Sequence, residues 1–114
     1  GCNRLFSAGP ANADFTMTEQ TLSETQFGPA TATLKAMANE SRLRILCLLM
    51  SGERSVTQIN QQMALSQSAL SQHLAVLRQE RLVTTRRSSQ IIYYSLNGDT
   101  AGQLIATLAN LDLG

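Results

Sequence analysis

Residues Ser66–Leu82 read SQSALSQHLAVLRQERL, and the spacing of residue types within this stretch decides the fold. At about 3.6 residues per turn, Leu70, Leu74 and Leu77 fall on one stripe, while Ser68, Gln72 and Gln79 project from the opposite side. One face is apolar and the other is polar but uncharged. A helix face that only meets water usually carries Lys and Glu, whereas short uncharged donors and acceptors at the start of a helix suit hydrogen bonding to base edges in a DNA groove. The stretch is a candidate recognition helix.

Its flanks support that reading. Upstream, Ser55 followed three residues later by Gln58 is a capping box, opening a short helix with Val56, Ile59 and Met63 on one face. The chain then turns within Met63-Ala64-Leu65. Two amphipathic helices joined so tightly make a helix-turn-helix, a pattern that many helical hairpins share. Downstream, Leu82–Arg87 and Ile91–Leu96 are β-prone runs separated by Ser88-Ser89-Gln90 and predict a hairpin, with Ile92, Tyr94 and Leu96 alternating on one face. At its tip Arg86 and Arg87 sit beside small polar residues, the composition of a wing that reaches phosphates or the minor groove. The plainer alternative is a solvated tip carrying two ordinary charges.

Further out, Asn39 caps ESRLRILCLLMSG, which stops at Gly52. Leu43, Ile45, Leu46, Leu48, Leu49 and Met50 cover most of its circumference, which predicts the central buried helix. Cys47 inside that run reads either as a small core hydrophobe or as a working thiol. Gly28-Pro29 interrupts a weak helix over 18–27, and Pro29 suits the first turn of a new helix over 29–38 that aligns Ala30, Leu34 and Met37. After Asn97-Gly98, Asp99 or Thr100 caps a last helix over 99–112. Thr100 with Gln103 forms a second capping box, and Ala101, Leu104, Ile105, Leu108 and Leu111 make an apolar stripe. Such a stripe is a lid on its own core or half of a dimer interface, the second being favoured in so small a protein. Residues 1–16 show no period and read as a flexible tail or a remnant of expression, leaving 17–114 as one domain.

Composition narrows the class. A chain of 114 residues with 43% apolar but only 4% aromatic residues and no Trp builds an aliphatic, mainly helical core. The net charge of +1 says nothing about nucleic acid. Its distribution does, because Glu40–Leu96 holds seven Arg against three Glu, and Arg is the better ligand of phosphates and narrow minor grooves. Cys2 and Cys47 are too few for a disulfide framework, which points to a reducing cytoplasm. No apolar run approaches the ~18 residues of a membrane span, and the first residues do not resemble a secretory signal. One His, no Gly-rich phosphate loop and no carboxylate pair beside a cleft argue against an enzyme.

The segments LKAMANESRLRILCLL and LSQSALSQHLAVLRQERLV and the hairpin ending IIYYSL resemble the ArsR/SmtB family of winged-helix transcription regulators over residues 30–112, and within it the HlyU and BigR/SqrR branch. The resemblance implies a fold that is mostly α with a β-hairpin wing: a winged helix-turn-helix of order α-α-α-α-β-β-α, dimeric through helices at 29–38 and 99–112. It also implies a homodimer on double-stranded DNA, at an imperfect palindrome with half-sites about one helical turn apart. By position, Gln67, Ser68, Ser71 and Gln72 match the family's DNA-facing residues, and Arg86 and Arg87 match its wing. His73 is assigned a structural role. Metal-sensing members carry Cys pairs or Asp and His clusters that VTQINQQMAL and the last helix lack, so neither a metal nor a cofactor is expected. Branch relatives carry a Cys in the ILC segment, matched by Cys47, and a second thiol near the C-terminus, where this chain has LANLDLG. The resemblance therefore implies redox sensing at Cys47 through sulfenic or persulfide forms, with Arg44 one turn away favouring its thiolate, burial opposing it, and Cys2 a remote partner if the tail folds back. The alternative from another class is a helical protein–protein module that keeps the scaffold without binding DNA.

Overall fold

The computed structural model describes residues 21–114. Its elements are α1 (Glu24–Met37), α2 (Glu40–Leu49), β1 (Arg54–Ser55), α3 (Val56–Gln62), α4 (Gln67–Gln79), β2 (Val83–Ser88), β3 (Ile91–Leu96) and α5 (Thr100–Ala109). The chain divides at Thr31, and the packing below is that of Ala32–Gly114. The tail expected over 1–16 and the start of the weak helix at 18–27 lie outside the described residues.

Two expectations about the helices are corrected. Gly28-Pro29 does not interrupt α1, which runs through Pro29 as one helix. The helix starts earlier because the Gln26 side chain accepts a hydrogen bond from the Ser23 N–H at 3.0 Å, and the Gln26 N–H donates to the Ser23 carbonyl at 2.9 Å. At the other end, α5 stops at Ala109, short of 112, and the Thr100–Gln103 box does not form. Gln103 instead donates its side-chain amide to the Asp99 carboxylate at 2.8 Å.

The core is aliphatic, as the composition implies. Ala36 and Met37 of α1, Ile45, Leu46 and Leu49 of α2, Ile59 of α3, Leu70, Leu74 and Leu77 of α4, Leu82 in the turn after α4, Val83 of β2 and Ala101 of α5 form one buried cluster. Each large side chain buried there contributes about 1.5–3 kcal/mol. α2 buries one face and not its whole circumference: Leu43 and Leu48 are half-buried, and Met50 and Cys47 are exposed. Cys47 stands two residues from both Ile45 and Leu49, so at about 100° per residue it points away from the side they bury. A core role for the thiol is thereby removed. Of the expected stripe only Ala101 is buried; Leu108 on α5 and Leu111 beyond its end are exposed.

α4 ends in a Schellman turn. The Leu82 N–H bonds the Leu77 carbonyl and the Arg81 N–H the Arg78 carbonyl, both at 3.0 Å, with Arg81 at φ +61°. Leu82 is thus buried beside Leu77 and precedes the strand in which it was expected. β2 and β3 form the hairpin, joined by Ser89-Gln90 alone, with Ser88 paired to Ile91. Ser89 takes φ +58° while Gln90 does not share the positive φ, the pattern of a type II′ turn that matches strand twist. The hairpin also has a third strand: β1 pairs with β3, giving the antiparallel order β1-β3-β2. With this added strand the described domain is a winged helix-turn-helix. No helix among the described residues is long and apolar enough to cross a membrane.

Candidate nucleic-acid interface

Ser66 caps α4, its hydroxyl accepting from the Ala69 N–H at 3.2 Å. With Leu70, Leu74 and Leu77 at 3% exposure or less, the helix is fixed in rotation. The opposite face is then set: Gln67, Ser68, Ser71 and Gln72 are all exposed along its first turns. Of the four, only Ser68 meets another side chain, the Ser66 hydroxyl at 3.4 Å. α3, with its Ser55–Gln58 capping box formed, precedes α4 in the helix-turn-helix.

The wing register separates the two arginines expected at its tip. Arg87 pairs with Ile92 and Thr85 with Tyr94, so these four share one face, whereas Arg86 pairs with Tyr93 on the other. Ile92 and Tyr94 line an open groove of ≈ 640 Å³ together with Ser71, Ala75 and Arg78 of α4. Arg87 therefore belongs to the face of the wing that turns toward α4. Arg86 is engaged elsewhere: its Nε and Nη2 donate to the two carboxylate oxygens of Glu53 at 2.7 and 2.8 Å, and its guanidinium lies 4.3 Å from the Tyr93 ring centre. Hydrogen bonding from Arg86 holds the Glu53 carboxyl below its ordinary range, against the opposing effect of desolvation, and the same bonds raise Arg86.

The local Arg excess is largely spent inside the fold. Arg42 donates to the Ala36 and Lys35 carbonyls at 2.5 and 3.3 Å, capping the C-terminus of α1, and its Nη1 lies 3.4 Å from His73 Nδ1. His73 so joins α4 to α2, away from the exposed polar face of α4. Arg44 pairs with Glu40 at 2.8 Å, which opposes the expectation that it activates the nearby thiol. Arg54 bonds the Gly52 and Glu53 carbonyls and the Ser51 hydroxyl. Among the described residues, Arg78, Arg81 and Arg87 make no side-chain hydrogen bond. In the sequence Arg78 and Arg81 stand out only as part of the Arg total, because pairing depends on residues far away in the chain.

Cys47 lies in an open groove of ≈ 520 Å³ with Glu40, Leu43, Arg44, Leu48, Gln62 and Met63. Among the described residues no three His, Cys, Asp or Glu side chains come together as a metal site would require. Cys2 lies outside the described residues.

Comparison with known proteins agrees with this geometry. Residues 39–85 match the family model described as bacterial regulatory protein, arsR family. The transcriptional activator HlyU of Vibrio cholerae is 49% identical over 82 residues, which are 72% of this chain and 76% of HlyU. The chain belongs to the ArsR family. The HTH-type transcriptional regulator YgaV of Escherichia coli is 41% identical over 96 residues, 83% of this chain and 97% of YgaV. Among solved structures, HlyU from Vibrio cholerae superposes with a TM-score of 0.74 at 44% identity, covering 81% of this chain and 100% of that one. The transcriptional repressor BigR from Xylella fastidiosa gives 0.73 at 35% identity, covering 80% and 93%. This is a family of regulators, and the chain is not an enzyme.

Proposed function

We propose that the protein is a DNA-binding transcriptional regulator that acts as a homodimer on an imperfect palindrome. One observation carries the reading: an uncharged polar face, exposed and almost free of internal hydrogen bonds, on a helix locked in place by three buried leucines. Gln67, Ser68, Ser71 and Gln72 read base edges, and Arg87 is the wing's phosphate ligand, Arg86 being engaged by Glu53. Dimerisation is supported by an apolar groove of ≈ 270 Å³ between the end of α1 and α5, lined by Leu34, Met37, Leu43, Leu104 and Leu108, with Leu34 58% exposed. The test is selection of bound duplexes from random-sequence DNA. A palindromic consensus is expected, and recovery of no sequence preference at low salt sinks the reading. Gln72→Ala should then relax preference at one position by about 1–3 kcal/mol, while Arg87→Gln weakens all sequences alike. A protein–protein module would give a stable protein complex and no DNA affinity.

The exposure of Cys47 favours a second element, thiol control of DNA binding. A peroxide oxidises the thiolate to a sulfenate, or a polysulfide transfers a sulfane sulfur to it, and the group added on α2 weakens DNA binding. Equal responses of the native and Cys47→Ser proteins to both reagents would remove this element.

A further inference from the structure

The pairing of Arg86 with Glu53 is built into the backbone. Glu53 stands two residues before Ser55, which pairs with Tyr93, and Tyr93 pairs in turn with Arg86. The residue leading into β1, with β3 and β2, therefore brings carboxylate, ring and guanidinium to one face of the sheet. Gly52 at φ +134° makes the turn into Glu53, a conformation that residues with a Cβ rarely adopt. Arg54 ties down the same loop through the carbonyls of Gly52 and Glu53. Two separate carboxylate oxygens meet two separate guanidinium nitrogens, a geometry that a Lys or a single-point contact does not reproduce.

We propose that Glu53 is a positioning residue of the DNA interface: it latches Arg86 against Tyr93 on the far face of the wing, so that each wing offers DNA one arginine, Arg87, and not two. The inference rests on the DNA-binding reading above. Were Arg86 to leave for a phosphate, one charge-assisted pair would replace another, and the Glu53 carboxylate would stay behind, unpaired, facing like charge. Glu53 thereby limits sequence-independent attraction and leaves discrimination to α4.

The slope of binding against salt counts the phosphates neutralised, at about 0.9 per contact. It is to be measured with the full chain on the duplex that random-sequence selection yields, between roughly 50 and 200 mM salt. Arg86→Gln should leave the slope as in the native protein. Glu53→Gln, by releasing Arg86, should steepen it by about 0.9 per protomer, or about 1.8 for a dimer. The double variant should return it to the native value, and native-like backbone amide shifts along β2 and β3 establish that the wing is intact. A flatter slope in Arg86→Gln, or an unchanged slope in Glu53→Gln, overturns the latch. Arg87→Gln separates the two levels of the argument: failure of the native chain to select any sequence refutes the DNA reading itself, whereas a flattened slope in Arg87→Gln with the wrong behaviour at Arg86 or Glu53 refutes only the latch.

Discussion

α4 and the tip of the wing both present polar side chains to the proposed partner, but they are supported in opposite ways. Under α4 lie Leu70, Leu74 and Leu77, whereas every residue from Arg86 to Ile91 is exposed. The helix is held by burial, which is insensitive to salt and to neighbouring charge. The wing tip is held by strand pairing and by one surface ion pair with an aromatic ring beneath it. The contrast assigns tasks. On the proposed reading, base contact, which needs side chains fixed within a fraction of an ångström, falls to the rigid element. The proposed phosphate contact, which tolerates movement, falls to the softer one.

The contrast breaks most visibly in the core. Leu77→Ala should destabilise the domain by about 2–5 kcal/mol in urea denaturation. Ile91→Ala at the tip, 48% exposed, should change stability by no more than about 0.5 kcal/mol. Comparable costs at the two sites would mean that the wing is as much part of the core as the helix. A smaller effect concerns the latch. The folded Glu53 carboxyl lies below its ordinary range, so the pair's contribution is complete above the range in which an unfolded glutamate titrates and is lost as pH falls through the lowered folded value. A carboxyl-carbon titration should place the Glu53 midpoint below that of free glutamate and move it upward in Arg86→Gln. An ordinary midpoint in the native protein would contradict the pairing.

What was legible in the sequence follows the same division. The leucine stripe of α4, the Ser55–Gln58 box and the hairpin are local patterns of period or spacing, and all three are present. Features set by distant partners were not legible. β1 is two residues long, too short to show alternation, and is defined only by its pairing with β3. Glu53 and Arg86 stand 33 residues apart, so nothing near Arg86 announced that it was engaged. The reach of burial around α2 is a different kind of error, and one that left Cys47 open between core and working thiol. An apolar run was read as burial all round, although a helix on the side of a small core has one buried face, and counting from Ile45 and Leu49 would have turned the thiol outward.

The smallest predicted effect lies at the junction of the two regions. Arg81 occupies the left-handed position of the Schellman turn, where a side chain with a Cβ costs about 1–2 kcal/mol relative to glycine. Its carbonyl accepts from the Asn97 side chain at 2.9 Å, and the Asn97 N–H donates to the Leu82 carbonyl at 3.0 Å, so the end of α4 is stitched to the end of β3 through the strained residue. Arg81→Gly relieves the strain and keeps both backbone contacts, but it adds freedom to the unfolded chain, which offsets part of the gain. The net expectation is a stabilisation of about 0.5–1 kcal/mol in thermal melts. Arg81→Asn, which tolerates the same φ and also removes the charge, distinguishes the backbone effect from the electrostatic one. If DNA affinity falls equally in both variants while stability rises, Arg81 acts as a cation at the interface. If affinity is unchanged in both, the residue serves only to turn the chain from the reading helix into the wing.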